Sequence, residues 1–240
     1  LYQNDTTGRH EGVFFNATAT TEKQLAVKLR AQYVPLVGFF GPDGKEVFRL
    51  PGYYQQPEMF RTGLKYVIGK HYDRLSFSEY AARLSPQKTT KGLIDEPFFS
   101  REQNLASLLA SSAKRNKGVA LVFEQEICAA CRELHDNKFR QAALASALTR
   151  HFAVVQLDIW GKRAIKDFRN QDSSDSRLAK TLDIRYTPTI VFFDRQGKEI
   201  LRLESYLTPA HFGDLIRFAT TDARKRYGSF QEYLGNLGQQ

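Results

Sequence analysis

The feature that most constrains this chain of 240 residues is an internal repeat. Two 18-residue segments, 153 residues apart, are identical at nine positions. They read YVPLVGFFGPDGKEVFRL over 33–50 and YTPTIVFFDRQGKEILRL over 186–203. Self-similarity at a fixed spacing indicates that one structural unit occurs twice.

Each copy predicts a β-hairpin followed by a helix. An apolar run rich in aromatic and β-branched residues is typical of a buried strand, and a glycine after a polar residue is typical of a tight turn. A proline in the first turn is a common helix start. We therefore expect strands at 36–40 and 47–50 with a helix at 57–68, and strands at 189–193 and 200–203 with a helix at 209–220.

The second copy is preceded by a longer series of elements. The pattern predicts a helix over 104–115, a strand over 119–123, a helix opening at Cys128, a strand over 152–158, a polar connection over 159–175 and a helix over 178–182. A strand, a helix and a strand in this order predict parallel pairing through a right-handed crossover.

The chain contains two cysteines, Cys128 and Cys131, and both belong to one Cys-Ala-Ala-Cys motif. Two cysteines are too few for a fold built from disulfides. The spacing occurs in redox-active proteins and in metal sites. We interpret the pair as a redox or metal-binding motif. The alternative is that two buried thiols lie close together in sequence by chance.

Composition excludes several other classes of protein. Apolar residues make up 42% and charged residues 25%, which is typical of a globular protein and not of a disordered, collagen or coiled-coil chain. No apolar run approaches the length of a membrane span. The net charge of +9 is spread along the chain. We therefore expect a solvated basic surface that attracts acidic protein partners or membrane surfaces, and no nucleic-acid binding.

The N-terminus carries one further expectation. The chain begins at Leu1 without an initiator methionine. We therefore expect that a signal peptide or a longer N-terminal segment has been removed.

The order of these elements, with CxxC after the first long strand and Thr187-Pro188 before the hairpin, resembles the thioredoxin fold. The segments FEQEICAACRELHD, VVQLDIW and RYTPTIVFFDRQGKEILRL resemble periplasmic thioredoxin-related proteins of the SoxW type. The resemblance implies an α/β protein with a central mixed sheet flanked by helices, and a periplasmic location.

The resemblance also implies a division of the chain. It is close over 99–240, whereas residues 13–84 resemble only the second half of the same fold, starting from a strand at 13–17. We therefore expect two tandem thioredoxin-like units: a partial unit without cysteines over 1–85, a linker over 86–98 and a domain with CxxC over 99–240.

Site roles follow from the same resemblance. It implies that Cys128 is the attacking nucleophile and Cys131 the resolving thiol of a thiol–disulfide oxidoreductase. It implies that the Thr187–Pro188 bond is cis and exposes the backbone of Thr187 to a substrate chain; a proline that merely starts a strand is the alternative. The other expected substrate-binding residues adjoin the nucleophile, namely Ile127, Ala129 and Ala130.

No cofactor is implied by this chemistry. The expected partners are protein thiols or disulfides, or small thiols, and a redox partner protein. A different class of function also fits the cysteine-free first copy and the basic surface. In that alternative, the protein is a non-catalytic thioredoxin-like scaffold that captures an acidic partner or self-associates through its N-terminal unit.

Three features depart from the family pattern. Ile127 replaces the tryptophan before the first cysteine, and Val122 stands where ordinary thioredoxins have a buried acid. The Ala129-Ala130 dipeptide adds neither charge nor a side-chain hydrogen bond to the thiolate. The direction of the reaction, whether reductase, oxidase or isomerase, therefore stays open.

Four side chains near the motif carry two interpretations each. Glu124 and Glu126 are either proton-transfer groups for Cys131 or solvated loop carboxylates. His135 is either a surface histidine or, on a continuous helix, the third ligand of a copper or zinc site with Cys128 and Cys131. Trp160 either flanks the active site or packs elsewhere.

Overall fold

The computed structural model describes residues 11–14, 18–29, 36–51, 57–84, 92–126, 128–204 and 207–237. The chain forms two compact units, one of residues 1–77 with 221–240 and the other of residues 78–220. The predicted boundaries 1–85, 86–98 and 99–240 stay a prediction. Within the described ranges, no helix is long and apolar enough to cross a membrane.

The described residues of the first unit form two antiparallel strand pairs. Its elements before residue 77 are β1 (Glu11–Phe14), β2 (Thr18–Thr21), α1 (Glu22–Lys28), β3 (Leu36–Phe40), β4 (Glu46–Pro51), α2 (Pro57–Ile68) and a 3₁₀ turn (His71–Asp73). β1 pairs with β2, and β3 pairs with β4. The predicted strand at 13–17 contributes its first two residues to β1, and residues 15–17 lie outside the described residues.

Aromatic side chains hold the described part of the first unit together. The buried ring of Phe48 on β4 lies 4.6 Å from the ring of Phe77 and 5.3 Å from that of Tyr66 on α2, measured between centroids. The hydroxyl of Tyr66 donates a hydrogen bond to the carbonyl of Leu75 at 2.6 Å. Rings at these separations stabilise a core beyond the area that they bury.

The second unit alternates helices and strands. Its elements are α3 (Phe77–Leu84), which begins at the boundary, α4 (Leu105–Ala113), β5 (Gly118–Glu124), α5 (Ala129–Leu134), α6 (Ala142–His151), β6 (Phe152–Asp158), β7 (Ala164–Lys166), β8 (Asp172–Ser174), α7 (Asp175–Thr181), β9 (Thr189–Phe193), β10 (Glu199–Leu203) and α8 (Pro209–Thr220). Two further helices, α9 (Ala223–Arg226) and α10 (Phe230–Leu237), belong to the first unit.

A four-stranded mixed sheet forms the centre of the second unit. Its strand order is β10-β9-β5-β6. β5 and β6 are parallel, in register from Gly118 opposite Phe152 to Glu124 opposite Asp158, as the crossover pattern predicts. β9 runs antiparallel to both β5 and β10. The expectation of an α/β thioredoxin-like fold with a mixed sheet and flanking helices is confirmed.

Helices cover both faces of this sheet. Alternate residues of β5, β6 and β9 form one buried cluster with residues of α4 and α7, among them Leu121, Phe123, Leu157 and Leu178. On the other face, α6 contacts β6 and packs against α8. All seven residues of β5 are buried, which is the pattern of a central strand covered on both sides.

The structure differs from the sequence prediction in two segments. The polar connection predicted at 159–175 contains the short antiparallel pair β7 and β8. Its turn is closed by Asp167, whose carboxylate accepts hydrogen bonds from the backbone N–H groups of Arg169 and Gln171. The helix that opens at Cys128 is not uniform, because α5 widens into a π-helical turn (His135–Phe139) before α6 begins. That turn buries His135, Lys138 and Phe139.

The two copies of the repeat adopt the same local structure. β3, β4 and α2 form a hairpin and a helix, as do β9, β10 and α8. Gly44 and Gly197 occupy the same turn position with φ of 73° and 77°, a conformation that favours glycine. An arginine on each return strand pairs with a glutamate three residues earlier, Arg49 with Glu46 and Arg202 with Glu199.

We expect Gly118→Ala to destabilise the second unit by about 1–3 kcal/mol or more, because overpacking a core forces backbone shifts. A Cβ atom at this position would lie 2.2 Å from the carbonyl oxygen of Phe193, which belongs to the backbone. The measurement is the free energy of unfolding in urea. The matched control is Gly213→Ala on α8, where a Cβ atom meets only Leu144 at 3.5 Å. Equal stability of the two variants would contradict the expectation.

Candidate active site

The cysteine pair lies at the start of α5, just beyond the end of β5. Cys128 is the N-cap residue, with an extended backbone (φ −148°, ψ 100°), and its Sγ accepts a hydrogen bond from the backbone N–H of Cys131 at 3.0 Å. The two cysteines form a disulfide, with their Cα atoms 5.2 Å apart. Cys128 is half-buried and Cys131 is buried. A partner therefore has access to Cys128 before Cys131.

The loop before β9 lies beside this disulfide. The peptide bond between Thr187 and Pro188 is cis. The Sγ of Cys128 lies 3.6 Å from the carbonyl oxygen of Thr187, a residue 59 positions away in sequence. Both Thr187 and Pro188 are half-buried. The structure thus brings together the two motifs that the sequence analysis singled out.

Glu124 is not the solvated loop carboxylate that we considered in the sequence. It is the last residue of β5, is 1% exposed, and accepts a hydrogen bond from Nε2 of Gln156 on β6 at 2.6 Å. It also lines a small surface cleft together with Cys128 and Cys131. The chain therefore has a buried acid beside the cysteines, at Glu124 and not at the position of Val122.

Glu126 lies in a different environment. Its side chain is exposed, and one carboxylate oxygen accepts a hydrogen bond from the backbone N–H of Gly92 at 2.5 Å. It lines the same cleft. Of these two glutamates, only Glu124 is shielded from water.

His135 is buried, so the expectation of a surface histidine is wrong. Its side chain is 0% exposed and lies between two carboxylates. Nδ1 is 2.8 Å from Oε1 of Glu96, and Nε2 is 3.0 and 3.1 Å from the two carboxylate oxygens of Glu124. The rings of Phe99 and Phe139 pack against the imidazole edge-on. We refer to Glu96, His135 and Glu124 as the buried triad.

The carboxylates determine the protonation of this histidine. Burial acts to lower the pKa of His135, but hydrogen bonds and charge attraction from Glu124, and then from Glu96, outweigh burial and raise the pKa above its ordinary value of 6.5. In the same π-helical turn, burial lowers the pKa of Lys138 to about 8, and the charge of Glu133 opposes part of that shift.

The metal-site alternative has no supporting cluster in the described part of the chain. No group of three His, Cys, Asp or Glu side chains there is arranged to hold a metal ion. Both ring nitrogens of His135 face carboxylates, and both sulfurs belong to the disulfide. The chemistry that this arrangement supports is proton exchange and thiol–disulfide exchange.

Sequence reasoning missed two polar residues of the site, Glu96 and Gln156. Glu96 lies in the segment interpreted as a linker. Two hydrogen bonds join its described end and the residues after it to β6: Gln156 donates its amide to the carbonyl of Ile94 at 2.6 Å, and Ser100 donates its backbone N–H to the carbonyl of Val154 at 2.7 Å. The aromatic pair Phe98-Phe99 next to Glu96 is the signal in the sequence that favours a packed segment over a linker.

Trp160 lies near the site, at the end of β6. Its indole Nε1 donates a hydrogen bond to Oε1 of Gln125 at 2.9 Å, and its side chain is 41% exposed. It therefore flanks the segment between β5 and the cysteines. Among the expected substrate-binding residues, Ala130 is half-buried on α5, Ile127 lies outside the described residues, and Ala129 is the first residue of α5.

Comparison with known proteins points to one family. The family described as a thioredoxin-like domain matches residues 1–68 and 105–220. Thiol:disulfide interchange protein DsbD of Pectobacterium atrosepticum is 33% identical over 102 residues, which are 42% of this chain and 16% of that protein. DsbD of Vibrio vulnificus is 30% identical over 135 residues, which are 55% of this chain and 21% of that protein. The chain thus spans only a minor part of the length of these relatives.

Solved structures with similar folds include a thioredoxin-fold protein from Helicobacter pylori. It has 21% sequence identity and a TM-score of 0.49, over 59% of this chain and 88% of that chain.

We expect His135→Gln to cost about 1–3 kcal/mol of unfolding free energy, because glutamine lacks the positive charge that strengthens the hydrogen bonds to the two carboxylates. The raised pKa of His135 sets the pH dependence: the contribution is full below pH 6.5 and is lost as pH rises through the folded-state pKa. The measurement is urea unfolding of both proteins as a function of pH, with His211→Gln at the exposed start of α8 as control. A difference from wild type that is unchanged across this pH range would contradict the expectation.

Proposed function

The chain belongs to the thioredoxin-like domain family, and from that premise we propose that it is a thiol–disulfide oxidoreductase whose redox pair is Cys128 and Cys131. One observation carries the proposal: a disulfide at the start of a helix lies in contact with the loop that contains cis-Pro188. Relatives named thiol:disulfide interchange proteins support thiol–disulfide redox chemistry in general.

The half-buried sulfur of Cys128 is the one that meets the partner. In the reducing direction, its thiolate attacks one sulfur of a partner disulfide, the partner S–S bond breaks, and the released sulfur takes a proton from solvent. The thiol of Cys131 then gives its proton to Glu124, and its sulfur attacks Sγ of Cys128. The mixed disulfide breaks, and the Cys128–Cys131 disulfide forms. The partner leaves with two more electrons, and the reverse sequence oxidises a partner dithiol.

The partner chain is held beside the nucleophile. We propose that it pairs with the backbone of Thr187 by strand addition and contacts Pro188, Ile127, Ala129 and Ala130. The contact between Thr187 and Cys128 supports this arrangement, because a chain paired with Thr187 passes within reach of the reactive sulfur.

Of the two carboxylates expected to transfer protons, we propose Glu124 for this role. Cys131 is 4% exposed, so its thiol has little access to water as a proton acceptor. Glu124 is buried in the same cleft, whereas Glu126 is exposed and holds the backbone of Gly92. A positioned proton acceptor contributes about 10²–10⁴-fold to a reaction rate.

The cellular setting belongs to the same proposal. We propose a periplasmic protein of the SoxW type that needs no cofactor, because its electrons come from protein or small-molecule thiols and from a redox partner protein. The first unit is proposed to be a partial, cysteine-free thioredoxin-like unit. The match of residues 1–68 to the thioredoxin-like family and the shared hairpin structure support this interpretation.

The reduction potential of the cysteine pair determines the physiological direction. A value near about −270 mV favours a reductant, and a value near about −120 mV favours an oxidant. The measurement is equilibration with glutathione or dithiothreitol redox buffers, followed by quantification of the free thiols.

We expect Cys128→Ser to reduce turnover of a model disulfide to the uncatalysed rate, because the attacking sulfur is lost. Cys131→Ser retains that sulfur and is expected to accumulate a stable mixed disulfide, detected as the added mass of one partner by mass spectrometry. The two variants are matched controls for each other. Full activity of Cys128→Ser would refute the assignment. A mixed disulfide that accumulates in Cys128→Ser and not in Cys131→Ser would reverse the roles of the two cysteines.

We expect Glu124→Gln to slow the resolving step by about 100-fold, because the isosteric amide cannot accept the thiol proton. The measurement is the decay of a preformed mixed disulfide in single turnover. Glu126→Gln is the comparison, with the same chemical change at an exposed carboxylate. A slower resolving step in Glu126→Gln and a normal one in Glu124→Gln would transfer the role to Glu126.

A further inference from the structure

The buried triad contains more ionisable groups than the exchange reaction requires. Glu124 accepts the proton of Cys131 in the proposed mechanism, but His135 and Glu96 have no part in it. Both are nevertheless buried, and burying an ionisable group is costly unless it is paired. His135 contacts Glu124 with one ring nitrogen and Glu96 with the other, so it can influence the charge of the Glu124 carboxylate.

Hydrogen-bond geometry fixes the number of protons in the triad. A neutral imidazole carries one N–H and one bare nitrogen, whereas an imidazolium carries two N–H groups. Both ring nitrogens of His135 lie 2.8–3.1 Å from carboxylate oxygens. A ring nitrogen without a proton would point its lone pair at a lone pair of the carboxylate oxygen, and the two would repel each other. Each contact therefore holds one proton, and the triad holds two.

The remaining contacts decide where these two protons lie. Glu124 also accepts a hydrogen bond from the amide of Gln156, so both its described polar contacts fit an ionised carboxylate. The guanidinium of Arg140 lies 3.5 Å from Oε1 of Glu96, which favours negative charge there. With both carboxylates ionised, both protons belong to His135, which is then an imidazolium.

We propose that His135 is a positioning residue: as an imidazolium held between Glu96 and Glu124, it stabilises the ionised carboxylate of Glu124 and so keeps it ready to receive the proton of Cys131. This inference rests on the proposed function and extends it. When the Cys131 proton reaches Glu124, the carboxylate becomes neutral, and the positive charge of His135 stays paired with Glu96.

Among the described residues, the charged groups around the imidazole come from three parts of the chain. Glu96 faces it from the segment before α4, and Glu124 faces it from the end of β5. Arg140 reaches Glu96 from the end of the π-helical turn, and Lys138 lies in that turn. Gln156 is neutral, and the adjoining faces are the rings of Phe99 and Phe139. Removing the charge of His135 therefore removes the cation nearest to Glu124.

The test separates the two chemical steps in one experiment. The fully reduced protein is mixed rapidly with the aromatic disulfide dithionitrobenzoate over about pH 5 to 8, the range in which histidines titrate. Attack by Cys128 releases the first coloured thiolate, and attack by Cys131 on the mixed disulfide releases the second. Wild type should release two coloured thiolates in succession, and Cys128→Ser should not. This result tests the proposed function separately, before the histidine variant is examined.

The decisive variant is His135→Gln, which retains an N–H donor for Glu124 and lacks the charge. We plot the rate of the second release against pH. In this variant we expect the acid limb of that curve to shift to higher pH by about one unit, so that the second release is about tenfold slower at a given acid pH. The first release is expected to stay unchanged. His211→Gln makes the same chemical change at an exposed site and is expected to leave both profiles unchanged.

Two outcomes would overturn the proposal. An unshifted second-release profile in His135→Gln would show that the charge does not act on Glu124, and equal slowing of both releases at every pH would show a merely structural role. If His135→Gln folds poorly, two other measurements can still contradict the proposal. Glu96→Gln should shift the profile in the same direction, and ¹⁵N NMR of wild type at pH 6 should show both ring nitrogens of His135 protonated. A neutral ring at this pH would refute the imidazolium.

Discussion

The complete burial of strand β5 is the constraint on which the active site depends. Each of its seven residues is buried, because β6 and β9 flank it in the sheet and helices cover both faces. Gly118 at its start permits a close approach of the Phe193 backbone, and Glu124 at its end is held within the protein. Cys128 begins α5 close to the end of this strand, and its sulfur lies 3.6 Å from the carbonyl oxygen of Thr187.

Burial at the end of β5 also creates the electrostatic problem that the buried triad solves. A carboxylate without a partner in a protein interior is strongly destabilising. Here the charge of Glu124 meets His135 and the amide of Gln156, and Glu96 meets both His135 and Arg140. Each partner comes from a different element, so the site rests on the packing of β5, β6, the π-helical turn and the segment before α4. Residues 94–100 contribute to this packing through hydrogen bonds from Gln156 to Ile94 and from Ser100 to Val154.

The repeat shows how local structure and chemistry are distributed differently along one chain. The hairpin-and-helix pattern recurs in both units with the same turn glycine and the same arginine–glutamate pair. The cysteine pair, the cis proline next to it and the buried triad all lie in the second unit. Short-range preferences are thus repeated in the first unit, which has no cysteine for catalysis.

The sequence by itself determined most of the local elements and singled out the cysteine pair. Strands at 152–158 and 189–193, helices at 57–68 and 209–220, and the parallel pairing of β5 with β6 follow from apolar periodicity, turn residues and chain order. The cysteine spacing alone pointed to Cys128 and Cys131. Tertiary structure decided what surrounds them: His135 is buried and not exposed, Glu124 is a buried acid and not a loop carboxylate, and the segment with Glu96 belongs to the site. The reason is distance along the chain, because Glu96 and His135 are 39 residues apart and no local pattern encodes which polar side chains meet in the interior.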